Sequence, residues 1–250
     1  MTRPLLVRLV EDYWGVVLLL CAWQLWVVIS RFNVIVMPTP TAVLRDLLSH
    51  PDVYLDNVGV TLAVAAFGLV AGMAVGTGLA VAAWFSAITA GLLNPITVLF
   101  SSVPVVALIP VIARLLGYDT STVLAIVVII TFFPSFVFAS SGLRSAPPGS
   151  EDLFRVLGAS RLDLLRHLAL PAAMPNLAIA FRLASAHAIL AAMVAEFLMG
   201  TSGLGYLFAK TKSDFQTEQA FGASAVATAI SAAAFLLAGR VERWARERYS

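Results

Sequence analysis

Charge is the scarcest ingredient of this sequence. Asp, Glu, Lys and Arg make up 12% of its 250 residues, against 60% hydrophobic. A soluble domain carries about twice that charged fraction, so a water-covered globular surface is excluded. No polar linker interrupts the chain, and it reads as a single domain over 1–250. Cysteine occurs once, as Cys21 in an apolar run. That excludes a disulfide framework and a thiolate metal site, and Cys21 reads as a small buried hydrophobe. The histidines, His50, His167 and His187, fall in three different compartments and cannot converge on a metal. No G-x-x-x-x-G-K-[ST] loop is present, so the chain has no phosphate cradle of its own. A net charge of +2 gives no footing for nucleic acid. No Ser-His-Asp spacing stands out, and no catalytic residue or cofactor site is assigned.

What the chain has in abundance is long apolar runs, with a mean hydropathy of +0.92. A helix needs about 20 apolar residues to cross the hydrocarbon. Six segments qualify: Tyr13–Ile29, a stretch within Val58–Phe85, Leu92–Leu116, Val123–Phe138, Leu177–Met199 and Phe221–Gly239. The expected fold is therefore all-α, a polytopic membrane protein of about six transmembrane helices. The charged N-terminus, MTRPLLVRLVEDYW, leads into the first run with no clean cleavage site after it, so that span is read as retained.

Lys and Arg set the orientation. With six spans, ten arginines share the side of both termini: Arg3, Arg8, Arg144, Arg155, Arg161, Arg166, Arg240, Arg243, Arg246 and Arg248. Five basic residues, Arg31, Arg45, Arg114, Lys210 and Lys212, fall on the other. Both termini, and the stretch at 151–171, are thus expected in the cytoplasm.

Within the spans, Gly68, Gly72 and Gly76 recur at one-turn spacing and form a strip where another helix can approach closely. Pro95, Pro104 and Pro110 interrupt the third span. Each removes a backbone donor, and freed carbonyls inside a membrane need protein or water as partners. The segment reads either as a broken helix lining a route, with Ser101 and Ser102 supplying hydroxyls, or as a helix kinked for packing. Ionisable residues inside spans are functional candidates by default. Arg182 is expected to snorkel toward the cytoplasm. His187 reads as an interhelical hydrogen-bonding group or a pathway group. Glu196 would face a pathway or pair with an outer-loop base such as Lys210. The translocation-path candidates are Ser101, Ser102, Pro104, His187 and Glu196.

One charged stretch stands apart, EDLFRVLGASRLDLLRHLALP at 151–171. Pro147 and Pro148 forbid helix before it. Ser150 is expected to cap a first short helix, with Glu151 and Asp152 at its positive end. Gly158 breaks that helix, and Ser160 to Asp163 has the form of a capping box that restarts it. Pro171 and Pro175 are expected to end the second helix before the fifth span. The apolar faces of this helix–turn–helix need either a bilayer surface or a partner's groove.

The stretch resembles the coupling motif of permease subunits of binding-protein-dependent (type I) ABC importers: E-A-A, three residues, Gly, nine residues, I-x-L-P. Gly158 takes the glycine position and Leu168-Ala169-Leu170-Pro171 the closing one. Asp152-Leu153-Phe154 takes the triplet, keeping the acid and replacing both alanines. VIVMPTPTAVLRDLL, VPVVALIPVIARLLGYDTSTVL and VAEFLMGTSGLGYLF extend the resemblance over 35–239, to the sulfonate, taurine, nitrate and pyrimidine-precursor branch. The resemblance implies a transmembrane permease domain whose cytoplasmic coupling segment, 150–171, lies between the fourth and fifth spans. Contact with an ATPase subunit would run through Asp152, Leu153, Phe154, Leu157, Gly158, Ala159, Ser160, Leu168, Leu170 and Pro171. It also implies a second permease copy as a homodimer partner, two ATPase subunits holding ATP and Mg, an extracytoplasmic solute-binding protein, a lipid environment in a bacterial inner membrane, and a small organic anion or vitamin precursor as cargo. A stand-alone secondary transporter or channel is the competing reading; it would need inverted repeats and paired intramembrane charges, which are not seen.

Overall fold

The computed structural model describes residues 5–102 and 104–249, and the side chains of 14–93, 95 and 104–249. Regular structure among them is helical: α1 (Leu5–Ser30), α2 (Pro40–Ser49), α3 (Pro51–Phe85), α4 (Ala87–Ser102), α5 (Val105–Leu116), α6 (Thr120–Gly142), α7 (Ser150–Val156), α8 (Arg161–Leu164), a π-helical turn (Leu165–Ala169), α9 (Leu170–Met199), α10 (Leu204–Ser213) and α11 (Thr217–Tyr249). Among the described residues, four helical rods are long and apolar enough to cross a membrane: Pro51–Phe85, Thr120–Gly142, Arg161–Met199 and Thr217–Tyr249. The expected third span is two helices, α4 and α5, because Pro104 caps α5 in an extended conformation (ψ 99°). Pro95 and Pro110, by contrast, lie inside their helices.

Glycine decides the closest packing. Gly68, Gly72 and Gly76 are buried on α3 and face α6. A Cβ on Gly76 would lie 2.7 Å from the Phe132 carbonyl oxygen and 2.9 Å from the Phe136 nitrogen. Thr131, buried on α6, donates its hydroxyl to the carbonyls of Val127 (2.8 Å) and Gly68 (3.2 Å). Without a hydrophobic drive between helices in lipid, such close approach is what holds them together. Asp119 caps the start of α6, accepting from the Ser121 hydroxyl (2.5 Å) and amide (2.9 Å). Those bonds hold its carboxyl below the usual carboxylate range.

Three apolar clusters stack along the bundle. The central one joins Val64, Ile109, Ile126, Val127, Ala188 and Ala192. At the α7 end, Phe136, Ala139 and Leu143 meet Leu165, Ala169 and Ala173. At the opposite end, Tyr54 packs with Leu204, Leu207, Ala223 and Ala227. α1 lies at the periphery; Gln24 accepts from the Thr41 hydroxyl of α2 at 3.3 Å, and Trp23 stacks on Phe221.

Several expectations are corrected here. Cys21 is exposed, because α1 leaves most of its apolar surface uncovered by this chain. Gly149, left-handed at φ 79°, and not Ser150, takes the cap position of α7. The hydroxyl of Ser150 donates instead to the Pro147 carbonyl, at 2.5 Å. Pro171 and Pro175 end nothing: α8, the π turn and α9 form one rod, Arg161–Met199. The wide turn, with Leu170 N–H bonded to the Leu165 carbonyl, shifts the register ahead of Pro171. That proline then sits in the first turn of α9, where a missing donor costs little.

Arg182 does not snorkel freely. It donates to Glu242 of α11 at 2.9 Å and lies 4.1 Å over the Phe235 ring; Glu242 also holds Arg246 at 2.8 Å. Glu242→Ala should lower the thermal midpoint in detergent by the equivalent of about 1–3 kcal/mol, with Glu242→Gln costing less. The loss stays below that of a fully buried pair because 32% of the Arg182 side chain is exposed. Equal midpoints for Glu242→Ala and the parent protein would remove the pair from the account.

Candidate functional site

α7 is short, and its ends are closed by its own backbone. After Val156 the chain turns at Gly158, φ 75°. Ala159 N–H bonds to the Phe154 carbonyl and Gly158 N–H to the Arg155 carbonyl, each at 3.0 Å. This is the Schellman pattern, which needs a left-handed residue at Gly158. Ser160 and Asp163 then form the capping box: Ser160 N–H to Asp163 Oδ2 at 3.0 Å, Asp163 N–H to Ser160 Oγ at 3.2 Å. Two helices are thus set at a fixed turn by residues five apart or fewer.

The two halves differ in what they bury. α7 buries nothing. Leu153, Val156 and Leu157 share one exposed face, with Val156 at 85% and Leu157 at 73% exposure. Glu151 and Arg155, one turn apart, lie on the opposite face and pair loosely at 3.7 Å. The second half is rooted in the bundle. Leu164 and Leu165 are buried, and Arg161 donates to the Phe85 carbonyl at 3.0 Å, closing the end of α3. The rod is therefore continuous with α9 and tied to α3.

Of the residues singled out in the sequence, Asp152, Leu153 and Leu157 are exposed on α7 or its cap, and Phe154 is half-buried. Gly158, Ala159 and Ser160 form the turn. Leu168, Leu170 and Pro171 are partly buried in the rod, so the structure does not bring them to the exposed face of α7. Pro104 is exposed at the start of α5, and His187 is exposed on α9. The side chains of Ser101 and Ser102 lie outside the described residues.

Glu196 is 2% exposed, at the end of the bundle opposite α7. Its Oε2 accepts from the Thr61 hydroxyl (2.8 Å) and the Gly205 amide (3.0 Å). Thr61 Oγ1 accepts from the Leu204 amide at 2.9 Å, and Asn57 Oδ1 from the Gly203 amide at 3.0 Å. The carboxylate thus holds the α9–α10 turn against α3, and Lys210 is not its partner. Sequence reasoning missed Asn57, Thr61, the Arg161–Phe85 bond and Glu242. Glu196 itself carried a signal, as an acid in a span; its partners, a threonine 135 residues away and the backbone amide of Gly205, carried none.

Comparison with known proteins settles the class. Residues 68–250 match the family described as binding-protein-dependent transport system inner membrane component. The chain belongs to this family. It is a permease, a membrane subunit of an ABC importer, and ATP hydrolysis belongs to another subunit of such systems. The permease is 31% identical over 225 residues to a probable ABC transporter permease protein of Haemophilus influenzae, covering 90% of this chain and 92% of that one. It is 28% identical to the formylaminopyrimidine transport permease ThiX of Halalkalibacterium halodurans, over 72% of each chain. It is 27% identical to a putative aliphatic sulfonates transport permease, SsuC, of Bacillus subtilis, over 79% of this chain and 73% of that one. Its fold matches a chain of the MetNI methionine ABC transporter, in an inward-facing crystal form, with TM-score 0.63 at 19% identity, covering 77% and 96%.

Proposed function

We propose that this permease pairs with a second copy, that α7 docks in a groove of a separate ATPase subunit, and that the pair moves a small organic anion or vitamin precursor inward. The whole chain, 1–250, serves as one permease domain in a bacterial inner membrane. α1, the α4–α5 pair and the four long rods supply six crossings. α7 and both termini lie in the cytoplasm, as the distribution of arginines favours. Two ATPases bind ATP and Mg, and an extracytoplasmic binding protein delivers cargo at the other face. The named cargoes of the relatives, a formylaminopyrimidine and aliphatic sulfonates, support a compact polar substrate.

The observation that carries the reading is the contrast along 150–171. A helix with an apolar face and no buried residue of its own is joined by two closed turns to a segment rooted in the core. Such a helix has its burial still to make, and a partner's groove supplies it. Force on α7 then passes through α8 into two elements at once: α9 through the continuous rod, and α3 through Arg161 and the Phe85 carbonyl. Closure of the ATPases becomes rigid-body movement of the spans.

The Leu153→Asp/Leu157→Asp variant tests the dock. Both side chains are exposed, so the permease should fold and reach the membrane, while the ATPase no longer co-purifies. Undiminished co-purification would sink the assignment of α7. The cargo is tested on the binding protein, by calorimetry against sulfonates, taurine, nitrate and pyrimidine precursors.

A further inference from the structure

Behind α7 lies a cleft of about 770 Å³. Its wall is the charged face of α7, Glu151 and Arg155, together with Arg144 and Arg161. Three arginines and one acid line it; Arg155 is loosely paired with Glu151 and Asp152, each at 3.7 Å, which leaves Arg144 and Arg161 without an acidic partner among the described residues. The side chain of Arg144 is exposed and has no partner among the described residues. The floor is the α3–α4 turn, where Trp84 and Phe85 stand edge to face with ring centroids 5.0 Å apart. Beyond the floor, Ile88 and Leu92 of α4 are exposed and apolar. The cleft is therefore cationic at one edge and aromatic at its base; α4 faces it with Ala87, Ala90 and Gly91 and carries Ile88 and Leu92 on the adjoining side of the same helix.

We propose that this cleft binds the phosphate headgroup of an anionic phospholipid, with the acyl chains along Ile88 and Leu92. Charge selects the headgroup: cytoplasmic-leaflet lipids are anionic and juxtamembrane arginines attract them. Arginine forks suit phosphate oxygens, and Trp84 sits at the polar–apolar boundary that indole rings favour. The apolar continuation separates a lipid from a free anion, which would gain nothing from Ile88 and Leu92. The site leaves the ATPase dock clear, because Leu153, Val156 and Leu157 point the other way. The bound headgroup would bridge Arg144 and Arg155 to Arg161, stiffening the root of α7. From the functional reading the proposal takes only that this end of the bundle meets the cytoplasmic leaflet.

Native mass spectrometry of the complete importer, ATPases attached, tests it after extraction from membranes of phosphatidylglycerol and phosphatidylethanolamine. The parent permease should retain phosphatidylglycerol in preference to phosphatidylethanolamine. Arg144→Gln should lower that retention about fivefold, the factor expected for one arginine at an anionic surface, and Arg144→Lys should recover most of it. Millimolar inorganic phosphate should leave the bound lipid in place. Equal retention in Arg144→Gln, displacement of the lipid by phosphate, or lipid found only on importers that have lost their ATPases would each overturn the proposal. Because ATPase attachment is read in the same spectra, failure here is distinguishable from failure of the dock.

Discussion

Gly76→Ala should strip far more stability from this permease than a methyl added at an open position of α3. The new Cβ would lie 2.7 Å from the Phe132 carbonyl oxygen and 2.9 Å from both the Phe136 nitrogen and the Ser135 Cβ. Two of those atoms are backbone and cannot rotate away, so α3 and α6 must separate. Their separation also pulls on Thr131, whose hydroxyl bridges to the Gly68 carbonyl. Overpacking of this kind costs about 1–3 kcal/mol, and more where the neighbour is rigid. Alanine's better helix propensity returns less than about 1 kcal/mol. Gly78 supplies the control. It is on the same helix, and a Cβ there meets nothing within 4 Å, so Gly78→Ala should leave the midpoint level or slightly raised. Thermal melts of the two variants in one detergent decide the matter, and matched midpoints would refute the close α3–α6 contact.

The second large effect is expected at Glu196. Glu196→Leu keeps a similar volume but removes the acceptor of the Thr61 hydroxyl and the Gly205 amide. Two buried donors would be orphaned, at about 1–3 kcal/mol each. The α9–α10 turn should loosen, become open to protease between Gly200 and Gly203, and uptake should fall with it. Both bonds go to one oxygen, so the amide oxygen of Glu196→Gln can still accept from both donors, and this variant should lose much less. Gly203→Ala should resemble Glu196→Leu, because Gly203 holds φ 96° and a Cβ there would strike the Glu196 carboxyl group. The pattern also separates clamp from pathway. A clamp loses stability and transport together in Glu196→Leu and keeps both in Glu196→Gln. Lost transport at full stability in Glu196→Gln would instead assign the carboxylate to the translocation path.

How far these features could be read in advance depends on the distance between the residues that make them. The turn at Gly158 and the capping box of Ser160 and Asp163 were legible because each closes within a few residues, whatever the rest of the chain does. The glycine strip was legible for the same reason: a four-residue spacing puts Gly68, Gly72 and Gly76 on one face before any partner is known. The prolines were legible only in part. Pro104 does break its helix, but Pro171 and Pro175 ride inside the long rod, since a π turn ahead of Pro171 adjusts the register. That turn has no local signal; it follows from anchoring Leu165 and Ala169 in the cluster around Phe136.

Apolar runs, sparse charge and the punctuation at 147–171 determined, by themselves, a helical membrane protein with a charged helix–turn–helix between two apolar runs, because these are one-dimensional constraints on single helices. Partner choice belonged to tertiary structure. Arg161 finds the Phe85 carbonyl 76 residues away, Thr61 finds Glu196 across 135 and Arg182 finds Glu242 across 60. A buried polar group must be satisfied by whatever packing brings within 3 Å of it. Which groups those are is known only once the helices have taken their places.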